Sequence, residues 1–117
     1  MNKSIVVAVV VTYNRLNLLQ RVVGALKGQS KKLDKIYIIN NGSTDGTKEW
    51  LDGQTGLNVI HQENVGGSGG FYRGIMEASK EECDWIWCMD DDVFPRENCL
   101  EILLNVAERH EKLGIVC

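Results

Sequence analysis

The chain predicts an α/β fold, an open and mostly parallel sheet with helices on both faces. Two observations carry that expectation. Short Val/Ile-rich runs alternate with stretches that repeat apolar residues at helical spacing, the pattern of strands joined by crossover helices. Clusters of Asn, Asp, Ser, Thr and Gly follow directly after the apolar runs, where strands would end. With 117 residues, 44% hydrophobic and 25% charged, the composition suits one folded domain over 1–117 and lies far from the profile of disorder.

Residues 4–12 are a nearly continuous Val/Ile run and predict a strand covered on both faces. Over 14–27, Leu18, Leu19, Val22, Val23 and Leu26 fall on one helical stripe, with Gly28 just past the end. Residues 35–39 predict a second strand, 47–51 a short helix and 57–61 a third strand. A helix is expected over 68–80, entered through a glycine-rich loop, although Gly69, Gly70 and Gly74 lower its helix propensity. In 84–89, Trp85, Trp87 and Met89 point one way and Ile86 and Cys88 the other, so both faces are apolar and the strand is central. Pro95 suits a helix N-terminus, and 97–111 carry Leu100, Leu103, Leu104 and Ala107 on one stripe. Residues 114–117 begin a fifth strand. In Rossmann-like sheets of this kind ligands bind beyond the carboxyl ends of the strands, where strand order reverses. TYNR, NNGSTDG, ENVGGSGG and DDD follow the first four strands, so one site is expected.

A formal net charge of -3, with no cluster of Lys and Arg, argues against a nucleic-acid partner. The opening MNKSIVVAVVVTY begins like a signal peptide but reaches Thr12, Asn14 and Arg15 with no small-residue cleavage site, and reads as a strand. No stretch approaches the roughly 18 apolar residues of a spanning helix. Cys83, Cys88, Cys99 and Cys117 show no CxxC spacing and are expected as reduced thiols in the cytoplasm. His61 and His110 read as a strand end and a solvated helix end, without a catalytic role.

Asp90, Asp91 and Asp92 are the sharpest chemical feature. Adjacent carboxylates raise one another's pKa values unless a cation neutralises them, and all-oxygen ligands favour Mg²⁺ or Mn²⁺. Alternation along an extended segment lets Asp90 and Asp92 share an ion while Asp91 faces elsewhere. The alternative is a solvated acidic turn, which the preceding WIWCM run disfavours. Residues 40–46 alone are a turn signal. Between a strand and a helix, Asn40 or Asn41 can offer an amide to a base edge, and Ser43 or Asp45 can cap the helix. Gly66, Gly67, Gly69 and Gly70 form either a flexible loop or a place where backbone approaches a diphosphate, with Arg73 adding positive charge.

Taken in order, VVVTYNR, INNGSTDGT, NVGGSGGFYRG and WCMDDDV resemble the N-terminal half of family 2 glycosyltransferases of the GT-A fold. The glycine loop followed by Phe71, together with the triple Asp, most resembles the galactofuranosyltransferase and rhamnosyltransferase-like branch. The resemblance implies a nucleoside-diphosphate sugar donor, UDP-linked, and metal-assisted displacement at the anomeric carbon. A saccharide or lipid-linked acceptor, as in cell-envelope polysaccharide synthesis, would serve the full-length enzyme. It also implies that Thr12, Tyr13, Asn14 and Arg15 line the nucleotide pocket beside Asn40, Asn41 and Gly67, with Arg73 near the diphosphate. Asp90 and Asp92 match the Asp-x-Asp element that holds Mg²⁺ or Mn²⁺, and Asp91 falls near the ribose or donor sugar. Asn40 stands where the family commonly has an Asp that accepts from uracil; an amide can still accept through its oxygen, and it also donates.

Family members draw their catalytic carboxylate base from a later segment, so the base is expected beyond Cys117. The expectation is therefore a donor-binding part truncated at its C-terminal end, binding without turnover, with a fifth-strand edge open to self-association. A sugar-phosphate nucleotidyltransferase would instead show a glycine-rich basic loop where TYNRLN stands, and a phosphate-receiving domain an acidic pair there. A non-catalytic nucleotide-binding fragment would differ from an enzyme only in a turnover assay.

Overall fold

A computed structural model describes residues 3–109 and 115–116. Its elements follow the expected alternation: β1 (Val6–Thr12), α1 (Leu16–Lys27), β2 (Lys35–Asn41), α2 (Thr47–Asp52), β3 (Asn58–Gln62), α3 (Gly66–Ser79), β4 (Trp85–Asp90), α4 (Cys99–Arg109) and β5 (Ile115–Val116). All strand pairs are parallel, in the order β3-β2-β1-β4-β5. Of the fifth-strand expectation, Gly114 and Cys117 lie outside the described residues, as does His110.

The chain steps outward from β1 to β3 and then returns to lay β4 on the other side of β1. The switch point therefore falls between β1 and β4, and the register sets Val11 opposite Asp90 there. On the far side of β1 the pairs Thr12–Asn40, Asn40–His61 and Asn41–Gln62 carry the alignment across the sheet. The polar strand ends thus form one row.

Every residue of β1 is buried because the strand is covered twice. Val6, Ala8 and Val10 join Trp85, Trp87 and Met89 in a core with Leu19, Val22 and Leu26 of α1, Leu51 of α2 and Leu100 and Leu104 of α4. Val7, Val9 and Val11 join Ile39, Ile86 and Cys88 in a second core under Ala78, Phe71 and Ile75 of α3. This division reproduces the two-faced reading of β4. Gln29, fully buried, joins α1 to α4: its Nε2 donates to the carbonyls of Ala25 (3.1 Å) and Arg96 (2.7 Å), and its Oε1 accepts from the Leu100 amide (3.0 Å).

Three boundaries shift for local reasons. Helix α1 begins at Leu16, not 14, because Asn14 adopts φ 50, a left-handed conformation that a helix cannot include. Strand β2 continues to Asn41, so both asparagines belong to the sheet and not to the turn. Helix α3 begins at Gly66, two residues early, and its glycines serve packing. A Cβ on Gly70 would stand 2.6 Å from Val11 Cγ1, and one on Gly74 2.3 Å from Val9 Cγ1. Helix and sheet could not come this close with any side chain at those positions.

Candidate functional site

Beyond β1 and β4 lies a cleft of about 270 Å³. Thr12 lines it from the end of β1, Tyr13 and Arg15 from the loop that follows, Asn41 from β2, Asn64, Gly66 and Gly67 from the α3 entrance, Asp90 from the end of β4 and Asp91 from just beyond it. Eight of the residues singled out in the sequence therefore meet: Thr12, Tyr13, Arg15, Asn41, Gly66, Gly67, Asp90 and Asp91. Asn14, Asn40 and Arg73 do not line the cleft. Asp92 stands beside it, 3.8 Å from Arg15.

The acidic triplet divides by burial. Asp90 and Asp92 are exposed, whereas Asp91 is 2% exposed and turned inward. Asp91 Oδ2 accepts from Thr12 Oγ1 at 2.8 Å and Oδ1 from Arg15 at 3.2 Å. Burial is the main influence on its carboxyl and pushes the pKa up; the Thr12 hydrogen bond opposes this, the charge of Asp90 adds to it, and Arg15 and the Tyr13 amide oppose it. One carboxylate oxygen from each of the three aspartates lies within 4.8 Å of the others. Asp90 Oδ1 also accepts from the Asp91 amide at 2.9 Å, which fixes its direction. Asp91 has its two oxygens occupied, so Asp90 and Asp92 are the oxygen donors best placed for a hard cation, and this donor set suits Mg²⁺ or Mn²⁺.

The remaining polar residues hold the loops to one another. Asn14 donates its amide to Ser43 Oγ (2.9 Å) and accepts from the Thr44 amide (2.7 Å), tying the first loop to the second. Asp45 receives the Leu16 amide at α1 (3.2 Å) and the Thr47 amide at α2 (3.2 Å), so one carboxylate caps two helix starts. Its side-chain bond from Thr47 is the chief cause of a lowered pKa. Asn41 Oδ1 accepts from Gln62 Nε2 and the Val65 amide (both 3.2 Å), while its Nδ2 donates to Asn64 Oδ1 (3.2 Å) and the Gly66 carbonyl (3.0 Å). That amide braces the glycine loop with every group it has. Asn40 is likewise consumed: it is 3% exposed, its Oδ1 accepts from the Ser43 amide (3.3 Å), and its Nδ2 lies 3.0 Å from His61 Nδ1. Arg73, well inside α3, pairs with Glu77 at 3.3 Å.

Asn64 is the cleft residue that the sequence reading passed over. Its Oδ1 also accepts from the Gly66 amide at 2.9 Å, an Asx turn that lets Gly66 take φ 78 and start α3. The signal was an Asn two residues before a Gly at a helix start, masked by the glycine run.

The sequence and the fold that carry this cleft are shared with proteins of known class. The profile of Glycosyl transferase family 2 matches residues 7–117. The galactofuranosyltransferase GlfT1 of Mycolicibacterium smegmatis is 35% identical over 110 residues, which span 92% of this chain and 36% of that protein. The chain thus spans about a third of the length of that relative. Among solved structures, S. aureus TarS 1-349 superposes with a TM-score of 0.72 at 18% identity, over 91% of this chain and 33% of that one. Glucosyl-3-phosphoglycerate synthase from Mycobacterium tuberculosis, in complex with Mn²⁺, uridine diphosphate and glucosyl-3-phosphoglycerate, superposes at 0.63 with 16% identity, over 81% of this chain and 36% of that one. The superpositions establish the GT-A fold, and the profile, read together with the four strand-end motifs, establishes that the chain belongs to glycosyltransferase family 2.

Proposed function

We propose that these residues bind the nucleoside diphosphate of a UDP-linked sugar in the cleft between β1 and β4, as the donor-binding part of a galactofuranosyl-transferring enzyme. The observation that carries this reading is the division of the acidic triplet: an inward Asp91 fixed by Thr12 and Arg15, with Asp90 and Asp92 exposed at the cleft. Asp90 and Asp92 would hold Mg²⁺ or Mn²⁺. A divalent ion there supplies positive charge against the diphosphate that leaves the anomeric carbon. Arg15, half exposed while one nitrogen engages Asp91, keeps further N–H donors for a phosphate oxygen. Gly66 and Gly67 let a diphosphate approach the backbone, since a Cβ at either would meet nothing within 4 Å and the space is open.

Asp90 and Asp91 are the only carboxylates lining the cleft among the described residues, and both belong to the donor side in this reading. The base that takes the acceptor proton is therefore assigned outside the described residues, and the 117-residue chain is expected to bind donor without transferring sugar. No helix among the described residues is long and apolar enough to cross a membrane, and no disulfide joins Cys83, Cys88 and Cys99; we place the domain in the cytoplasm. Self-association is assigned to the edge of β5, the last strand in the sheet order among the described residues.

Calorimetry with uridine diphosphate tests the donor reading. Binding is expected to tighten with Mn²⁺ or Mg²⁺ and to weaken with chelator; equal affinity in both conditions would remove the metal-bridged diphosphate. A radiolabelled-donor assay with an acceptor panel tests the second half, and robust transfer by the purified chain would show that the base lies within it.

A further inference from the structure

The register of β2 and β3 places Asn40 beside His61, a residue to which the sequence assigned no role. An amide nitrogen only donates, so the 3.0 Å contact from Asn40 Nδ2 requires His61 Nδ1 to accept and to carry no hydrogen. The hydrogen of the neutral ring then sits on Nε2, 2.8 Å from Asp52 Oδ1. The direction of the amide is fixed separately by its oxygen, which accepts from the Ser43 amide. Ser43 Oγ in turn accepts from the Asn14 amide, Asn14 holds φ 50, and the next residue, Arg15, grips Asp91. A connected series of hydrogen bonds thus runs from an imidazole on β3 to the first loop of the cleft.

Proton uptake by His61 reverses one link. Nδ1 becomes a donor and faces the Asn40 nitrogen, donor against donor. If the amide turns over, its oxygen satisfies the ring, but its nitrogen then faces the Ser43 amide, and the conflict moves one step toward the cleft. The ring is faced by Asp52 of α2, by Lys48 of α2 through its 2.9 Å pair with Asp52, and by the uncharged Asn40 of β2. Asp52 welcomes the added proton by forming an ion pair, so the mismatch is delivered to the Asn40 side.

We propose that His61 is a positioning residue: as the neutral Nε2–H tautomer it locks Asn40, and through it the loop pair 40–46 and 13–15, while its protonation loosens that pair and weakens nucleotide binding at acid pH. The effect on nucleotide rests on the donor-site reading above; the loop effect does not.

The experiment is ¹⁵N NMR of the chain without nucleotide, from slightly alkaline to mildly acid pH. At the alkaline end the ring should show an unprotonated Nδ1 and a protonated Nε2. On acidification the Ser43 and Asn14 amides should shift with the same midpoint as the ring, and exchange of the Ser43 amide should accelerate by about tenfold. An Nδ1–H tautomer, or amides that ignore the ring's midpoint, would overturn the proposal. In Asn40→Asp a second carboxylate faces the ring, so its midpoint should move up by about one pH unit; an unmoved midpoint would disprove the contact. Calorimetry with uridine diphosphate and Mn²⁺ then compares the parent with His61→Phe. The parent should lose more affinity on acidification than the variant, and equal losses would sink the nucleotide half alone. Absence of uridine diphosphate binding at every pH would instead refute the donor-site reading and leave the NMR result decisive for the loops.

Discussion

Gly74→Ala examines whether α3 is held against the sheet by absent side chains. The added Cβ would lie 2.3 Å from Val9 Cγ1 and 3.2 Å from Ile39 Cγ1, and both neighbours are fully buried. Carbon atoms in contact settle near 3.5–4.0 Å, so more than about 1 Å must be opened. Val9 and Ile39 are β-branched and stiff at χ1, and Val9 sits in the central strand, so the displacement falls on the helix. Overpacking of this kind costs about 1–3 kcal/mol. Replacing Gly by Ala inside a helix returns about 1 kcal/mol. The net expectation is a loss of about 0–2 kcal/mol, a fall of up to several degrees in Tm for a domain of this size. Because α3 carries Gly66 and Gly67 into the cleft, uridine diphosphate binding should weaken as well. Thermal unfolding and calorimetry read the two effects, and Val9→Ala supplies the control: with the methyls removed, the double variant should be more stable than the sum of the single losses. A higher Tm for Gly74→Ala, or strict additivity with Val9→Ala, would refute the close-packing account.

Asp92→Ala should weaken metal-dependent nucleotide binding by about 1–3 kcal/mol without lowering Tm, because it removes an exposed carboxylate proposed to hold the cation and one of three repelling charges; calorimetry and melting curves distinguish this from a structural role. Asp91→Asn keeps an oxygen for Thr12 and removes the buried charge. Since burial raises the Asp91 pKa above its ordinary 3.8, the ionised form burdens the fold at neutral pH, and stability falls as pH rises from 3.8 through the raised value. The variant should therefore hold or gain Tm at pH 7 and lose that segment of pH dependence, and a large drop in Tm would count against it. Asp45→Ala should cost about 0.5–2 kcal/mol at neutral pH. The Asp45 pKa is lowered below 3.8, so its contribution is present above that value and disappears as pH falls through the lowered one; denaturant melts of parent and variant should converge only in strong acid.

The order of strands and helices was legible because each apolar run carries its own period: alternation on both faces of β4 and a helical stripe in α1 and α4 read directly as the two cores. The cleft was legible for a different reason, since polar clusters at strand ends converge wherever the strands are parallel. What the sequence did not disclose was partners. Alternation along DDD sends Asp91 away from Asp90 and Asp92, but nothing there says that it is buried against Thr12 and Arg15, which arrive from the end of β1 and the loop after it. Nothing in NNGS says that β2 runs through both asparagines, because their partners lie on β3 and in the α3 entrance. Gly70, read with its neighbours as either a flexible loop or a backbone approach to phosphate, faces Val11, and Gly74, read only as lowering helix propensity, faces Val9, contacts that only the helix–sheet distance reveals.

These placements invert the usual reading of a polar loop. Asn14, Asn40, Asn41, Asn64 and Asp45 are the residue types that contact ligands, and here Asn14, Asn41, Asn64 and Asp45 each reach another segment while Asn40 bonds to Ser43 of its own turn and to His61 of β3. Short side chains with both donors and acceptors suit that task, because they satisfy backbone groups at strand and helix ends that would otherwise face solvent singly. The cost of ordering the loops is then met by folding and not by the ligand, which leaves binding energy for the ligand's own contacts. The groups left for the proposed cation-bound diphosphate are consequently few and of a different kind: the exposed carboxylates of Asp90 and Asp92 for the cation, and the outer nitrogens of Arg15 and the bare backbone at Gly66 and Gly67 for the phosphates. A site organised in this way should tolerate change at Asp90, Asp92 and Arg15 with little loss of fold, and should lose its shape when a loop-tying asparagine is removed.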